Sequence, residues 1–335
     1  MRVGIVGVGA MGSTHAAAWG QTGARLVGFA DTRQEQASAL ASQYEARTYS
    51  SLDALMQDVD IVDVCTPTHL HRDMVLQAAS AGKHVICEKP LGRSIAQGQE
   101  MIRACRDAGV ALLVGQVVRF FPEYAAAKRQ VDAGNLGDVA VIRLKRNVFR
   151  PRKAEDNWFL DHQKSGGMIL DLMIHDFDYA RWVAGEVTSV YAKQIGDPTR
   201  SIGDHCLAIL THASGAISHV EGSWAYPPPT FHTSIEISGS EGLLIHDSAA
   251  AAPISVLWRQ QGGDSSGDVP IAASPLLESP YTTEIKAFYD HIAHGLAVPV
   301  TAADGLAALQ IALAAIESAE TGAVVHLNPL PEVVG

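Results

Sequence analysis

With 335 residues, 47% of them apolar and 18% charged, the chain is long enough for two domains with separate cores and has the balance of an ordinary globular protein. Its net charge of −11 at pH 7 argues against nucleic acid or an anionic membrane as the main partner. The four cysteines, Cys65, Cys87, Cys105 and Cys206, show no CxxC pair and no disulfide-like spacing, so a reducing, cytoplasmic home is expected. No stretch approaches the roughly 18 uninterrupted apolar residues of a membrane span. Arg2 ahead of an apolar run resembles the start of a signal peptide, but glycines interrupt the run, which reads better as a strand entering a phosphate loop.

Residues 3–6 form a short apolar strand, followed by Gly7-Val8-Gly9-Ala10-Met11-Gly12 and a helical stretch to about residue 21. This is G-x-G-x-x-G between a strand and a helix, the context that dinucleotide binding requires. Gly7 permits the tight turn, Gly9 lets the backbone approach a pyrophosphate, and Gly12 allows close helix packing. Ala10 and Met11 open the helix, whose unpaired N–H groups would face the anion. The second strand, 25–30, ends in Asp31, where an acid would grip the ribose hydroxyls and disfavour a 2′-phosphate, so NAD is expected. Arg33 could stack on adenine or reach a phosphate, which leaves NADP open.

Strand-like segments at 60–64, 83–87 and 110–115 alternate with helical ones at 69–81 and 95–108, the pattern of a right-handed parallel sheet. Cys65-Thr66-Pro67-Thr68 follows one strand at the carboxyl edge, where such folds bind ligands. His69 and His71 lack a third ligand at a recognised spacing, so no metal is expected; helix start, surface or cofactor edge suits them better. His15, on the first helix, reads as packed. Glu88-Lys89-Pro90 follows another strand, and Lys89 is either a surface loop lysine or a cation pointing into the cleft.

After Gly115 the pattern changes. Helices are expected at 121–133, 171–183, 284–294 and 305–321. A long strand at 137–148 and shorter ones at 187–195, 205–211, 216–223, 233–238 and 243–246 are joined in part by hairpin turns at 213–215 and 239–242. This is an antiparallel sheet with helices on one side, and its other face needs a partner. Residues 261–270 read as a mobile loop. The basic cluster of Arg143, Lys145, Arg146, Arg150, Arg152 and Lys153 is either a solvated or subunit-contact face or a feature near substrate. Asp171 and His175 are four apart, so on a helix they share a face. A carboxylate beside an imidazole suits proton transfer near neutral pH; a satisfied structural pair is the other reading.

Taken together, GVGAMG at 7–12, TPTHLH at 66–71, AGKHVICEKPL at 81–91, VRFFPEY at 118–124, SGGMILDLMIHDFDYARWVAG at 165–185 and DGLAALQIALAAIESAETG at 304–322 resemble the Gfo/Idh/MocA oxidoreductases. The resemblance implies an α/β Rossmann domain with a doubly wound parallel sheet over 1–118. It implies an α+β substrate and oligomerisation domain with a large, mostly antiparallel open sheet over 119–335. It also implies a hydride passing between a hydroxyl-bearing carbon and nicotinamide C4, with His175 as general acid/base, Asp171 orienting it and Lys89 binding the reacting hydroxyl. Cys65, Thr66, Pro67, His71, Glu88 and Lys89 would line the cofactor. Arg119, Trp158 and Asp161 would build the substrate wall. LDLMIHDFD is similar to the stretch of inositol dehydrogenases, so a cyclic polyol or a sugar is the expected substrate. Met168 and Met173, where small residues are usual, would narrow the pocket. Other functions on this scaffold are an NAD-requiring glycosidase, a dihydrodiol or small-carbonyl reductase, and a non-catalytic dinucleotide sensor. A homodimer or homotetramer through the second sheet is expected.

Overall fold

The computed structural model describes residues 1–151, 157–197, 202–249 and 278–330. The chain divides into two units, one of residues 1–120 and 273–306 with the last five residues, the other of residues 121–272 and 307–330. The first therefore ends two residues later than expected, and the chain returns to it.

Unit one holds six strands: β1 (Arg2–Val6), β2 (Arg25–Ala30), β3 (Arg47–Tyr49), β4 (Ile61–Val64), β5 (His84–Glu88) and β6 (Leu112–Gly115). Their order β3-β2-β1-β4-β5-β6, with every pairing parallel, is that of a doubly wound dinucleotide-binding sheet. Such a sheet is covered on both faces, and β4 and β6 are accordingly buried along their whole length. The crossovers carry α1 (Ala10–Trp19), α2 (Gln34–Gln43), α3 (Leu52–Met56), α4 (His71–Ser80) and α5 (Ile95–Asp107). Ser51 and Ser94 cap α3 and α5 by accepting from Ala54 and Gln97 N–H groups. Helices α2 and α3 and strand β3 were not among the expected elements. The returning segment places Ile285 and Phe288 in the same core as Val3, Ile5, Ala16 and Trp19.

Unit two begins with α6 (Pro122–Asp132) and β7 (Val139–Val148), then a short helix α7 (His162–Ser165), a π-helical turn (Ile169–Met173) and α8 (Ile174–Ala184). Strands β8 (Val187–Asp197), β9 (Ile202–His212), β10 (Ile217–Ser223), β11 (Phe231–Gly239), β12 (Leu243–Asp247) and β13 (Val325–His326) complete the sheet, ordered β12-β11-β7-β10-β9-β8-β13. All pairings are antiparallel except β7–β10. Strand β7 alternates in burial, with Ile142, Leu144 and Arg146 inward and Arg143 and Lys145 outward. The outer face exposes Leu207, Ile209 and Ile217.

Helices α9 (Pro280–His294) and α10 (Ala302–Thr321) close the chain. By length and composition α10 could cross a membrane, but 61% of that window is buried inside the protein, as in a core helix. The basic cluster is consumed by pairing: Arg143 with Glu236, Lys145 with Glu221 at 3.9 Å, Arg146 with Asp176 at 2.7 Å and Arg150 with Asp204 at 3.6 Å. Arg152, Lys153 and the stretch 261–270 lie outside the described residues.

Candidate active site

The parallel strands of unit one bring most of the expected cofactor residues to a single edge. Gly7, Asp31, Cys65 and Lys89 directly follow β1, β2, β4 and β5. Gly7 sits at φ +92°, and a Cβ there would lie 2.7 Å from the Cys65 carbonyl oxygen. A Cβ on Gly12 would collide with the Gly7 carbonyl oxygen, whereas a Cβ on Gly9 would point into open space with only Arg33 Nη2 as near as 4.0 Å. The cradle is therefore open where a pyrophosphate would lie and closed where α1 must approach β1. Ala10 and Met11 form the first turn of α1, with Gly9 as its N-cap.

Asp31 closes the loop by accepting from the N–H groups of Val8 at 2.7 Å and Arg33 at 2.8 Å, and from Arg33 Nε at 3.2 Å. Burial raises its pKa, but the Arg33 side-chain bond and the two backbone bonds outweigh it and hold the carboxyl below the ordinary value. An ionised acid with an arginine alongside fits the ribose hydroxyls of a dinucleotide, and these residues fit NAD.

His71 opens α4, one of the places expected for it. It is buried, with Nδ1 2.9 Å from the Pro90 carbonyl oxygen and Nε2 2.8 Å from that of Thr66; burial lowers its pKa, so the neutral ring has one N–H and donates to one of the two carbonyls. Glu88 is also buried; its Oε2 accepts the Lys89 N–H at 2.9 Å and its Oε1 lies 3.1 Å from His15 Nε2. Lys89 itself is half-buried, and the Lys89–Pro90 peptide is cis. Thr66 directs its hydroxyl to Met74 Sδ at 3.4 Å, and Pro67 introduces the 3-10 turn at Thr68–Leu70.

His15 is packed as expected, but within a charged network that the sequence reading missed. Its Nδ1 lies 2.9 Å from Asp63 Oδ2, which also accepts from Trp19 Nε1 at 2.7 Å. Burial alone would lower the pKa of this imidazole; the Asp63 charge prevails and holds it well above the ordinary value. The available signal was Asp63 inside the apolar strand Ile61–Val64, because a carboxylate is almost never fully buried without a partner.

In unit two Asp171 lies in the π-helical turn and is buried, and His175 is the second residue of α8 and half-buried. π-Helical turns inside α-helices are frequent at functional sites. Immediately after His175, Asp176 receives Arg146 Nε at 2.7 Å and Nη2 at 3.0 Å, which ties the first turn of α8 to β7. Of the residues expected at the substrate wall, Arg119 is buried in unit one, donating to the Pro299 carbonyl at 2.5 Å and pairing with Asp304 at 3.3 Å. Asp161 caps α7 by accepting from the Gln163 N–H at 2.9 Å. Trp158 stacks on Phe159 with ring centroids 4.0 Å apart. Met168 and Met173 do not narrow a pocket: both are fully buried, and a Cβ on Gly222 of β10 would collide with Met173 and lie 3.3 Å from Met168 Sδ.

A glycine cradle, an ionised acid after the second strand and a lysine after the fifth, joined in one chain to a π turn and a half-buried histidine, define a dinucleotide-dependent oxidoreductase. Residues 1–116 match the family model described as "Oxidoreductase family, NAD-binding Rossmann fold", and residues 124–245 match the "GFO/IDH/MocA C-terminal domain". The chain belongs to the GFO/IDH/MocA family of NAD-binding oxidoreductases. It is 32% identical over 326 residues to an inositol 2-dehydrogenase of Rhizobium meliloti (strain 1021), covering 95% of this chain and 96% of that protein. It is 31% identical to a myo-inositol 2-dehydrogenase of Thermotoga maritima over 100% of both chains. Among solved structures it is similar to GenD2 from gentamicin A biosynthesis in complex with NAD, with a TM-score of 0.85, 26% identity and 98% and 97% of the two chains covered.

Proposed function

We propose that this protein is an NAD-dependent dehydrogenase that oxidises a secondary hydroxyl of a cyclic polyol or a pyranose sugar. The observation that carries the reading is Lys89, which follows β5 at the same sheet edge as the glycine cradle and Asp31. The 7–12 loop and Asp31 hold the cofactor, and NAD, when bound, supplies the hydride acceptor. The chain's own residues manage the proton and the charge. His175 takes the hydroxyl proton as general base, and Asp171, one turn earlier, orients the imidazole. The Lys89 ammonium stays beside the oxygen and stabilises the negative charge that develops there. The polyol or sugar class follows from the two inositol dehydrogenases to which the chain is similar over its length. Readings as a glycosidase, a small-carbonyl reductase or a sensor are not favoured beside these relatives.

We also propose self-association through the outer face of the second sheet, where Leu207, Ile209 and Ile217 are 53%, 43% and 40% exposed. A cytoplasmic setting suits the four free thiols.

The test is NADH formation against inositols, aldoses and sugar acids, with NAD and with NADP. Lys89→Ala and His175→Ala should each lower turnover by at least about 10²-fold while NAD binding persists. Near-normal turnover in either variant would refute the role given to that residue.

A further inference from the structure

Two buried histidines flank Lys89 in unit one, and each holds a different neighbour of it. On one side, His15 lies between two carboxylates, with Nδ1 2.9 Å from Asp63 and Nε2 3.1 Å from Glu88 Oε1. The other Glu88 oxygen accepts the Lys89 N–H at 2.9 Å. On the other side, His71 lies between the Thr66 and Pro90 carbonyls, with Nε2 2.8 Å from the first and Nδ1 2.9 Å from the second, and in the tautomer protonated at Nδ1 its one N–H donates to Pro90. The backbone is thus hydrogen-bonded on both sides of the lysine to groups that a histidine controls.

We propose that His15 and His71 are positioning residues for the reaction: His15 acts through the Glu88 side chain, His71 through the Pro90 carbonyl, and together they fix the backbone from which Lys89 projects. The inference rests on the role given to Lys89 above. Its physical basis is that a misplacement of about 1 Å at a reacting group costs up to about 10²-fold in rate. Each histidine is at most 1% exposed, and each reaches a strand or turn other than its own: His15 to β4 and β5, His71 from the start of α4 to the turn after β5. His15, Asp63 and Cys65 also offer the donor types of a cation site. However, Asp63 Oδ2 already accepts from both His15 and Trp19, and burial keeps the Cys65 thiol protonated, so a cation would have to displace these bonds.

A double-mutant cycle on the full-length protein decides the matter. His15→Gln, His71→Leu and Glu88→Gln are each made with Lys89 present and in the Lys89→Ala background, with kcat normalised to sites that bind NAD. With Lys89 present, each should lower kcat at least about 10-fold with little change in the affinity for NAD, and His71→Gln, which restores a donor, should recover part of the loss. In the Lys89→Ala background the same changes should have almost no further effect. Full additivity, or unchanged kcat with Lys89 present, would overturn the proposal. Normal turnover in Lys89→Ala alone would instead remove the reading on which it rests. If His15→Gln does not fold, Glu88→Gln breaks the same linkage at its other end and His71→Leu tests the second one, and these two decide the outcome.

Discussion

Removing the Asp176 carboxylate while Arg146 remains is expected to destabilise unit two by about 3–5 kcal/mol. The two side chains are 0% and 3% exposed and meet through two bonds of 2.7 and 3.0 Å, and Arg146 also reaches Tyr124 Oη at 3.3 Å. A guanidinium cannot shed its proton, so Asp176→Ala leaves a buried fixed charge without the carboxylate that takes two of its bonds. The pair as a whole is a different matter. Burial raises the Asp176 pKa even with Arg146 against it, so at this carboxyl desolvation outweighs the attraction, and a buried pair is often matched by well-packed apolar residues. The double replacement Arg146→Met with Asp176→Leu should therefore recover most of the loss. Arg146→Met alone should cost less than Asp176→Ala, and least in acid, because the stranded carboxyl can take up a proton. At about 2–4 °C per kcal/mol for a unit of this size, Asp176→Ala lowers the melting midpoint by about 6–20 °C, as calorimetry or circular dichroism would read. A loss under about 1 kcal/mol for the single change, or a double variant no more stable than Asp176→Ala, would refute the reasoning.

The remaining expectations concern the cofactor cradle and pH. Gly12→Ala sets a Cβ against the Gly7 carbonyl oxygen, a backbone clash that no rotamer relieves, so NAD affinity should fall at least about 10-fold by calorimetry. Asp31→Ala should weaken NAD more than NADP, and equal weakening of both would refute the ribose contact. His15 is held protonated well above the ordinary imidazole value, burial pulling its pKa down and the Asp63 charge pulling it up more strongly. In the unfolded chain its proton leaves near about 6.5. Its contribution to stability is therefore complete below that pH and is lost as pH rises through the folded value. The melting midpoint should fall on the alkaline side, and His15→Gln should flatten that fall.

What the residues reveal in advance depends on how local the cause is. The glycine loop, Asp31 and the alternation of strand and helix follow from short-range rules, because turn geometry and apolar period are written within a few residues. Strand β3, at Arg47–Tyr49, is a partly exposed edge strand of three residues and has no period to detect. Helix α9 has a clear amphipathic pattern, but nothing within it says that Ile285 and Phe288 return to the core of the first unit. The same distinction separates Lys89 from its supports. A lysine at a strand end can be seen, whereas the histidines that hold its neighbours come from α1 and the start of α4, 74 and 18 positions away in the chain. Asp63 was the one local sign of that network. A charge in a fully buried strand demands a partner but does not name it.

The methionines of the π turn, expected to narrow the pocket because small residues are usual there, show what a change of backbone period does. In an α-helix, residues five apart point about 140° away from each other. On that basis Met168 and Met173 cannot share a face, and at least one falls toward the side that Asp171 and His175 would present. In a π turn the hydrogen bonds run five residues apart, so positions i and i+5 come onto the same side. The stretch Ile169–Met173 adopts that turn, and both methionines are fully buried toward Gly222 of β10. Gly222 has no Cβ to oppose them, so one absent side chain on the strand makes room for two long ones on the helix. Their bulk packs against the strand and anchors the turn carrying Asp171 to the sheet.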